Sequence, residues 1–373
     1  MTQTNPTDCD VIIVGAGPAG VAAAYDLCQA GESVLLLDRH EFPRNKACAG
    51  GLTVKTLKAL RYPVDAVIRK RCRSLIVGQA LSRAVQFRGR REICAMTVRR
   101  ELDTFCFEKA LAAGARFKTI GRIQAIRENQ AGVDIQTTGG LHRAAFLIGA
   151  DGATSRVGKL TGEFTDGRLG FAIEGALPAN PGKMPRMTFD FNIIKSGYGW
   201  LFPKGDHVNI GLFTSHPSVI LKKRNLRAYA RKKLGKTDIM NLAGHAVSMG
   251  GWRYRPKSRR ILLAGDAAGL VDPLLGEGLY NAVRSGQLAA RAIITAPASS
   301  QTAGSLYKRL LDPIRRDLRL GCLLAWWFYG RPNWGYWALT SPPVKYALMK
   351  GFAKGWTMGG ITQNFYKLPF LED

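Results

Sequence analysis

The first forty residues contain two short apolar runs with a small-residue segment between them. Residues 10–14 and 33–38 are apolar and have the length of buried strands. Residues 21–30, between them, are rich in alanine and have the composition of a helix. The order strand, helix, strand predicts a βαβ unit with both strands in one sheet.

The middle of the chain changes to an alternating pattern of polar and apolar residues. Residues 61–95 alternate and predict strands, whereas residues 99–113 predict a helix. A buried strand is expected at 146–150. Residues 165–255 alternate again and contain turn signals such as Lys204-Gly205-Asp206, which favour an antiparallel sheet.

The last third returns to the first pattern and then becomes helical. Residues 260–264 predict a buried strand, and a helix is expected over residues 278–295. The hydrophobic fraction of 46% suffices for a sizeable core. The fold class predicted is mixed α/β (α+β): a Rossmann-like domain with an inserted antiparallel-sheet domain and a C-terminal helical tail. The predicted parts are a discontinuous cofactor domain (1–60, 96–164 and 256–296), a sheet domain (61–95 and 165–255) and a basic, aromatic helical segment (297–373).

A glycine-rich turn joins the first strand to the first helix. It reads Gly15-Ala16-Gly17-Pro18-Ala19-Gly20, and Asp38 ends the next strand 18 residues after Gly20. Gly15 permits a tight turn, Gly17 lets the backbone approach a pyrophosphate, and Gly20 allows close helix packing. The phosphates meet unpaired N–H groups at the helix N-terminus, and Asp38 accepts hydrogen bonds from a ribose. The predicted dinucleotide-binding residues here are Gly15, Gly17, Pro18, Ala19, Gly20, Asp38 and Arg39.

The charge of the chain is strongly positive. Lysine and arginine total 54 against 27 acidic residues, a net charge of +27. No helix-turn-helix, zinc-finger or RNA-binding signature accompanies the basic runs, so we expect no nucleic-acid partner. An anionic membrane surface, a phosphorylated substrate or an acidic electron-donor protein fits this charge, and a merely solvated basic face is the alternative.

Cysteine spacing and the longest apolar stretch indicate where in the cell the protein is expected. The seven cysteines form no CxxC pair and no metal-ligand pattern, which predicts free thiols, no metal and a reducing cytoplasm. The first ten residues lack the regions of a signal peptide. The longest apolar stretch, residues 320–339, is interrupted by Arg331 and Pro332. Its four tryptophans fit either a core helix or a bilayer interface, so we expect a cytoplasmic protein with peripheral membrane attachment as an alternative.

Two further motifs narrow the choice of dinucleotide. They read GADGATSR at residues 149–156 and GDAAG at residues 265–269. Following the first glycine motif in this order, they resemble the fingerprints of the p-hydroxybenzoate-hydroxylase-like superfamily of FAD-dependent oxidoreductases. The resemblance implies FAD as cofactor, with Asp266 bonded to the ribityl chain and Asp151-Gly152 near the diphosphate; Gly265 and Arg99 also approach the cofactor. Capping of a turn or helix start is the alternative role for Asp151 and Asp266.

Within that superfamily, four segments resemble the geranylgeranyl reductase group. They are FPRNKACAGGL (42–52), YGWLFP (198–203), GDH (205–207) and DPLLGEG (272–278), and the likeness runs from about residue 8 to 300. The flavin-side residues implied are Cys48, Ala49, Gly50, Gly276 and Gly278. The substrate-cavity residues implied are Tyr198, Trp200, Phe202, Pro203 and Gly211. One departure is Phe213, which replaces the second glycine of the group's G-x-G and is expected to reshape the cavity.

The implied reaction saturates C=C bonds of a geranylgeranyl-type prenyl chain, with a hydride from N5 of reduced flavin and a proton. An isolated alkene accepts hydride only if positive charge is stabilised or protonation accompanies it, so the pocket must exclude water. Tyr198, Trp200 and Phe202 alternate and therefore share one face of a strand, where their rings can attract developing positive charge. An ordinary sheet core is the alternative. Cys48 is the candidate catalytic acid, and a small buried hydrophobe is its alternative role.

Other functions and the electron source remain open at this stage. An FAD-dependent monooxygenase or halogenase acting on an aromatic substrate shares the fold, but Gly269, Ser285, Tyr198 and Phe202 depart from the motifs of those enzymes. A non-catalytic prenyl-lipid binder that retains FAD is a third interpretation. No second GxGxxG marks a separate nucleotide domain, so NADPH and ferredoxin are both candidate electron donors. The carrier of the prenyl chain is likewise open.

Overall fold

The computed structural model describes residues 8–365, which form a mixed α/β protein as the sequence predicts. The strands are β1 (Cys9–Val14), β2 (Val34–Asp38), β3 (Gly51–Thr53), β4 (Ile68–Cys72), β5 (Ser74–Gln79), β6 (Arg83–Arg88), β7 (Cys94–Thr97), β8 (Arg116–Thr119), β9 (Ile123–Glu128), β10 (Val133–Thr137), β11 (Gly140–Gly149), β12 (Arg168–Pro178), β13 (Thr188–Phe191), β14 (Gly197–Pro203), β15 (His207–Thr214), β16 (Met240–Met249) and β17 (Ile261–Leu263). The helices are α1 (Pro18–Gln29), α2 (Val54–Ala59), α3 (Arg99–Ala112), α4 (Arg156–Thr161), α5 (Lys223–Leu234), α6 (Leu279–Thr295), α7 (Ala303–Leu310), α8 (Asp312–Gly330), α9 (Pro332–Thr340), α10 (Pro342–Lys354) and α11 (Met358–Gln363).

The first sheet carries the predicted βαβ unit. Its strands follow the order β8-β2-β1-β11-β10-β9, and β17 pairs with the end of β11. Strands β8, β2, β1, β11 and β17 are parallel. Parallel sheets are covered on both faces, which explains the continuous apolar runs of β1, β2 and β17. Helices α1 and α6 pack closely: a Cβ on Gly286 would lie 2.1 Å from the Ala19 carbonyl oxygen. This packing holds the N-terminus of α1 against the strand ends.

The second sheet has seven strands in the order β16-β12-β15-β14-β13-β5-β6. All neighbours are antiparallel except β5 and β13, which pair in parallel and join the two chain segments predicted for this domain. Helix α5 covers the outer face, where Leu226, Tyr229 and Ala230 pack with residues such as Leu201. Along the sequence this segment is dominated by lysine and arginine. The spacing of its three apolar residues is that of an amphipathic helix.

A small third sheet and the C-terminal helices complete the fold. The small sheet has the order β3-β7-β4. The predicted domain boundaries at residues 60/61 and 95/96 fall between its strands β3 and β4 and inside β7, so both predicted domains contribute to it. These boundaries stay a prediction.

Helices α8 to α11 pack against the second sheet rather than standing apart. Phe328, Tyr336 and Met349 join the cluster that contains Val77 and Phe191. Gln79 Nε2 donates to Asn333 Oδ1 at 2.8 Å. Across residues 8–365, none of the helices combines the length and apolarity needed to cross a bilayer.

Candidate functional site

A cavity of about 700 Å³ extends from the glycine-rich turn after β1 to the inner face of the second sheet. This volume is in the range of small-molecule sites. The predicted site residues that line it are Gly15, Gly17, Pro18, Ala19, Asp38, Arg39, Cys48, Ala49, Gly50, Arg99, Asp151, Gly152, Tyr198, Trp200, Phe202, Gly265, Asp266, Gly276 and Gly278. Gly20, Pro203 and Gly211 lie outside that lining.

The three glycines of the first motif have different surroundings. A Cβ on Gly15, which has φ +103°, would lie 2.3 Å from the Ala150 carbonyl oxygen, and one on Gly20 would lie 1.8 Å from that of Gly15. Packing within the protein therefore requires both glycines. A Cβ on Gly17 would meet nothing closer than Arg44 at 3.8 Å. Gly17 leaves open space at the start of α1, which fits the close approach of a diphosphate.

Asp38 supports the same turn while lining the cavity. Its carboxylate accepts from the Ala16 amide at 2.7 Å and from the His40 amide at 3.0 Å. These two bonds fix the carboxylate at the end of β2, where a ribose would lie next to a diphosphate bound at Gly17.

The carboxylate of Asp151 caps helix α4. It accepts from Ser155 Oγ at 2.6 Å and from the amides of Arg156 and Val157 at 2.6 and 3.1 Å. Burial raises the pKa of Asp151, and the bond from Ser155 opposes that rise. The capping role, given above as the alternative, is therefore present. Gly152, with φ +86°, presents its backbone to the cavity.

A group of cations surrounds the middle of the cavity. Arg99 is buried and pairs with Asp103 through two bonds of 2.6 and 2.9 Å. Arg44 lies 3.5 Å from the same carboxylate, and its buried Nε has no hydrogen-bond partner among residues 8–365. Its Nη2 would lie 3.8 Å from a Cβ on Gly17, so the guanidinium stands where an anionic group such as a cofactor phosphate would bind. Arg44 belongs to the FPRNKACAGGL segment but is not among the predicted site residues.

His245, on β16, was not predicted. Lys46 Nζ lies 3.0 Å from its ring nitrogens. Burial, Lys46 and Arg99 lower the pKa of His245 to about 4, so the ring is neutral at physiological pH. Burial raises the pKa of Asp266, which also lines the cavity, against the attraction of Lys46. Only the tertiary fold brings a strand of the second sheet to the cofactor side.

The loop from Asp272 to Gly278 closes the cavity beside the second sheet. Asp272 Oδ1 accepts from the amides of Leu274 and Leu275 at 3.0 and 2.8 Å, and Gly276 adopts φ +65°. Tyr198 donates its hydroxyl hydrogen to the Leu275 carbonyl oxygen. Burial raises the pKa of Tyr198, so the phenol stays neutral and serves as an anchor for the loop.

An aromatic wall forms the inner face of the second sheet. Tyr198, Trp200 and Phe202 of β14 are buried on the same face, and Phe189 lies 5.3 Å from Phe202 in an edge-to-face arrangement. Gly211 is paired with Trp200, and a Cβ there would lie 2.0 Å from Trp200 Cζ2. Gly211 therefore acts on the cavity through Trp200, because its missing side chain lets the indole lie flat on β15.

Phe213 lines the cavity at the departure from the G-x-G pattern. Its ring lies 5.4 Å from that of Tyr198, and a Cβ on Gly276 would be 3.4 Å from it. The ring thus fills space between the aromatic wall and the closing loop.

Open backbone at the start of α1, the Arg44 guanidinium beside it and a large adjoining cavity fit a bound dinucleotide, the site expected of an FAD-dependent oxidoreductase. A family model described as FAD binding domain matches residues 8–189. The cofactor is FAD.

Comparison with whole proteins defines the family. The chain is 34% identical to an uncharacterised protein of Methanosarcina barkeri, over 86% of this chain and 84% of that protein. It is 30% identical to digeranylgeranylglycerophospholipid reductase 1 of Methanopyrus kandleri, over 83% of this chain and 87% of that protein. The chain belongs to the geranylgeranyl reductase family of FAD-dependent oxidoreductases.

The fold is shared with solved structures. A geranylgeranyl bacteriochlorophyll reductase-like protein of Thermoplasma acidophilum superposes with a TM-score of 0.78 at 22% identity, covering 96% of this chain and 95% of that one. A flavin-dependent brominase superposes with a TM-score of 0.71 at 17% identity, covering 96% and 98%. At these identities the likeness concerns the fold alone.

Proposed function

We propose that this protein saturates C=C bonds of a geranylgeranyl-type prenyl chain. The observation that carries the proposal is the continuity of one cavity between the FAD side and the aromatic wall of Tyr198, Trp200 and Phe202. Reduced FAD supplies the hydride. The rings exclude water from the chain and attract positive charge as it develops on a reacting carbon.

Cys48 is the proposed proton donor. It lines the cavity on the segment between the cofactor side and the aromatic wall. Tyr198 is less suited to this role, because its hydroxyl hydrogen is already donated to the Leu275 carbonyl. His245, with its pKa of about 4, is neutral at pH 7, and a neutral imidazole is a poor acid.

The proposed carrier of the prenyl chain is a phosphate-bearing lipid or diphosphate. The support is the net charge of +27 together with the name of the Methanopyrus kandleri relative, a glycerophospholipid reductase. We expect the polar group to remain near basic side chains while the hydrocarbon enters the aromatic part of the cavity.

The test is anaerobic incubation of the chemically reduced, FAD-loaded protein with geranylgeranyl diphosphate or a geranylgeranyl glycerophospholipid. Mass spectrometry should detect a gain of about 2 mass units per reduced double bond, as hydride plus proton addition requires. Cys48→Ser serves as a variant that keeps FAD but reduces more slowly. No mass gain, combined with oxygen-dependent conversion of an aromatic substrate, would favour the monooxygenase or halogenase interpretation.

We also propose peripheral attachment to an anionic bilayer through α8 and α9. Trp326, Trp334 and Trp337 are 70%, 66% and 67% exposed. Arg331 lies over the Trp326 ring at 5.7 Å, and Arg316 and Arg319 are exposed nearer the start of α8. Indole rings favour the bilayer interface, and the arginines favour anionic headgroups.

Flotation with vesicles tests this attachment. The wild type should float with equal parts phosphatidylcholine and phosphatidylglycerol, and the variant with serine at all three tryptophans should not. A matched control places serine at Phe171, Ile220 and Met240, three exposed apolar residues outside α8 and α9. Equal flotation of all three proteins would refute the assignment of α8 and α9 as the membrane surface.

The electron donor is proposed to be NADPH or a reduced ferredoxin, both of which are anionic. Rapid mixing of the oxidised protein with each donor should bleach the flavin absorbance with only one of them at a rate that supports turnover. The faster reaction should slow as salt rises, because screening weakens attraction between opposite charges.

A further inference from the structure

Lys204 holds the segment that carries Cys48. Burial of the lysine's charge is by itself unfavourable. Lys204 follows β14 and is 2% exposed. Its ammonium donates to the carbonyl oxygens of Ala49 at 2.5 Å, Gly50 at 3.0 Å and Thr97 at 2.8 Å. The three donors of the ammonium are thus used, two of them on the residues directly after Cys48. An apolar side chain would avoid the desolvation penalty, so this lysine has a role beyond packing.

Glu174 holds the same segment through its amide. The side chain is 9% exposed on β12 and lines the cavity. Its Oε1 accepts from the Cys48 amide at 2.7 Å. The carboxylate also interacts with the side chain of Asn209, whose Oδ1 accepts from Trp200 Nε1 at 2.7 Å. Glu174 therefore connects the Cys48 segment to the aromatic wall.

We propose that Lys204 and Glu174 are paired positioning residues that hold the Cys48 segment by its carbonyls and its amide and balance the charge around its thiol. The inference rests on the proposed function only for the importance of Cys48 in the reaction. The contacts of Lys204 and Glu174 with the Cys48 segment do not depend on that function. Neither residue needs to touch the substrate.

The Cys48 thiol lies among side chains of both positive and negative charge. The Gly50 amide donates to Cys48 Sγ at 3.4 Å. The charged or titratable side chains that interact with the thiol or its amide are Lys46, Arg99, Glu174, Tyr198 and Lys204. Burial lowers the pKa of Lys204 to about 8 and raises the pKa of Glu174. A carboxylate opposes the cations, and glutamine at position 174 would remove that opposition while keeping the oxygen; alkylating reagents attack thiolates.

FAD-loaded variants separate the holding of the Cys48 segment from the balance of charge around its thiol. Glu174→Gln keeps an oxygen for the Cys48 amide and removes the charge, whereas Glu174→Ala removes both, and Lys204→Met removes the three donors. Glu163→Gln is the matched control, because Glu163 is also buried and accepts from the amides of Lys257 and Ser258. Hydrogen–deuterium exchange of residues 46–52 reports how tightly the segment is held. Peptide mass spectrometry reports iodoacetamide alkylation of Cys48, with Cys28 and Cys322 as internal references.

We expect Glu174→Ala and Lys204→Met to accelerate exchange of the segment about tenfold, and Glu174→Gln and Glu163→Gln to leave it unchanged. Glu174→Gln should raise Cys48 alkylation at fixed neutral pH about three- to tenfold relative to the two reference cysteines, an effect that a purely structural role would not produce. Wild-type exchange in Glu174→Ala together with wild-type alkylation in Glu174→Gln would overturn the proposal. If Lys204→Met does not fold, the two Glu174 variants still test the proposal. Neither measurement needs a prenyl substrate, so this result stands apart from a failure of the proposed reaction.

Discussion

Replacement of Gly211 by alanine should disturb the aromatic wall without touching FAD. The new Cβ would lie 2.0 Å from Trp200 Cζ2 and 2.3 Å from Cη2, far inside van der Waals contact. The indole must tilt toward the cavity by more than 1 Å, roughly the difference from the usual carbon–carbon separation. That movement stretches the 2.7 Å bond from Trp200 Nε1 to Asn209. Overpacking and the weakened hydrogen bond together should cost about 2–4 kcal/mol of unfolding free energy.

Thermal unfolding of the FAD-loaded protein measures this loss, and anaerobic turnover measures its effect on the cavity. Gly244→Ala is the control, because Gly244 also lies in the second sheet and its Cβ would meet only the Ala172 carbonyl oxygen at 3.7 Å. We expect a lower melting temperature and slower prenyl reduction for Gly211→Ala alone, with bound FAD unchanged in both variants. Indistinguishable stability and turnover of the two variants would refute the packing of Trp200 on Gly211.

Three further changes probe the cofactor turn, the cavity and the histidine. Gly17→Val should abolish FAD retention, measured as flavin absorbance after gel filtration, because its side chain would occupy the space left for the diphosphate; retained flavin would contradict this. Phe213→Gly should let the cavity accept a bulkier prenyl substrate, seen as a lower KM for that substrate, while an unchanged KM would argue against Phe213 as a limit on size. Because the pKa of His245 is lowered to about 4 from 6.5, the unfolded chain binds the extra proton first, so stability should fall as pH drops from about 6.5 to about 4. His245→Gln should flatten that part of the stability profile, and an unaltered profile would exclude His245 as its source.

The likeness to a brominase shows how little the fold alone says about the reaction. That structure covers 96% of this chain with a TM-score of 0.71, close to the 0.78 of the reductase-like neighbour. Membership of the reductase family comes from sequence relatives, and Tyr198 and Phe202 depart from the halogenase motif. Function follows the site rather than the architecture.

The sequence by itself determined the class of cofactor and the family. Local rules suffice for this, because a tight turn, an open helix N-terminus and an acidic strand end depend on residues that are near one another in the chain. The alternation of Tyr198, Trp200 and Phe202 likewise predicted a common face, which follows from the two-residue period of a strand. The wall they form in the structure is consistent with that local rule.

Only the tertiary structure decided which distant residues complete the site. Glu174 meets the Cys48 amide across 126 positions of sequence, and Lys204 reaches Gly50 across 154. Asp151, which the resemblance implied to lie near the diphosphate, lines the cavity while its carboxylate caps α4, and its contact with the cofactor stays a prediction. Burying an ionisable group is favourable only where the fold places hydrogen-bonding or charged partners next to it. These partners are distant in sequence, so no local sequence pattern predicts them.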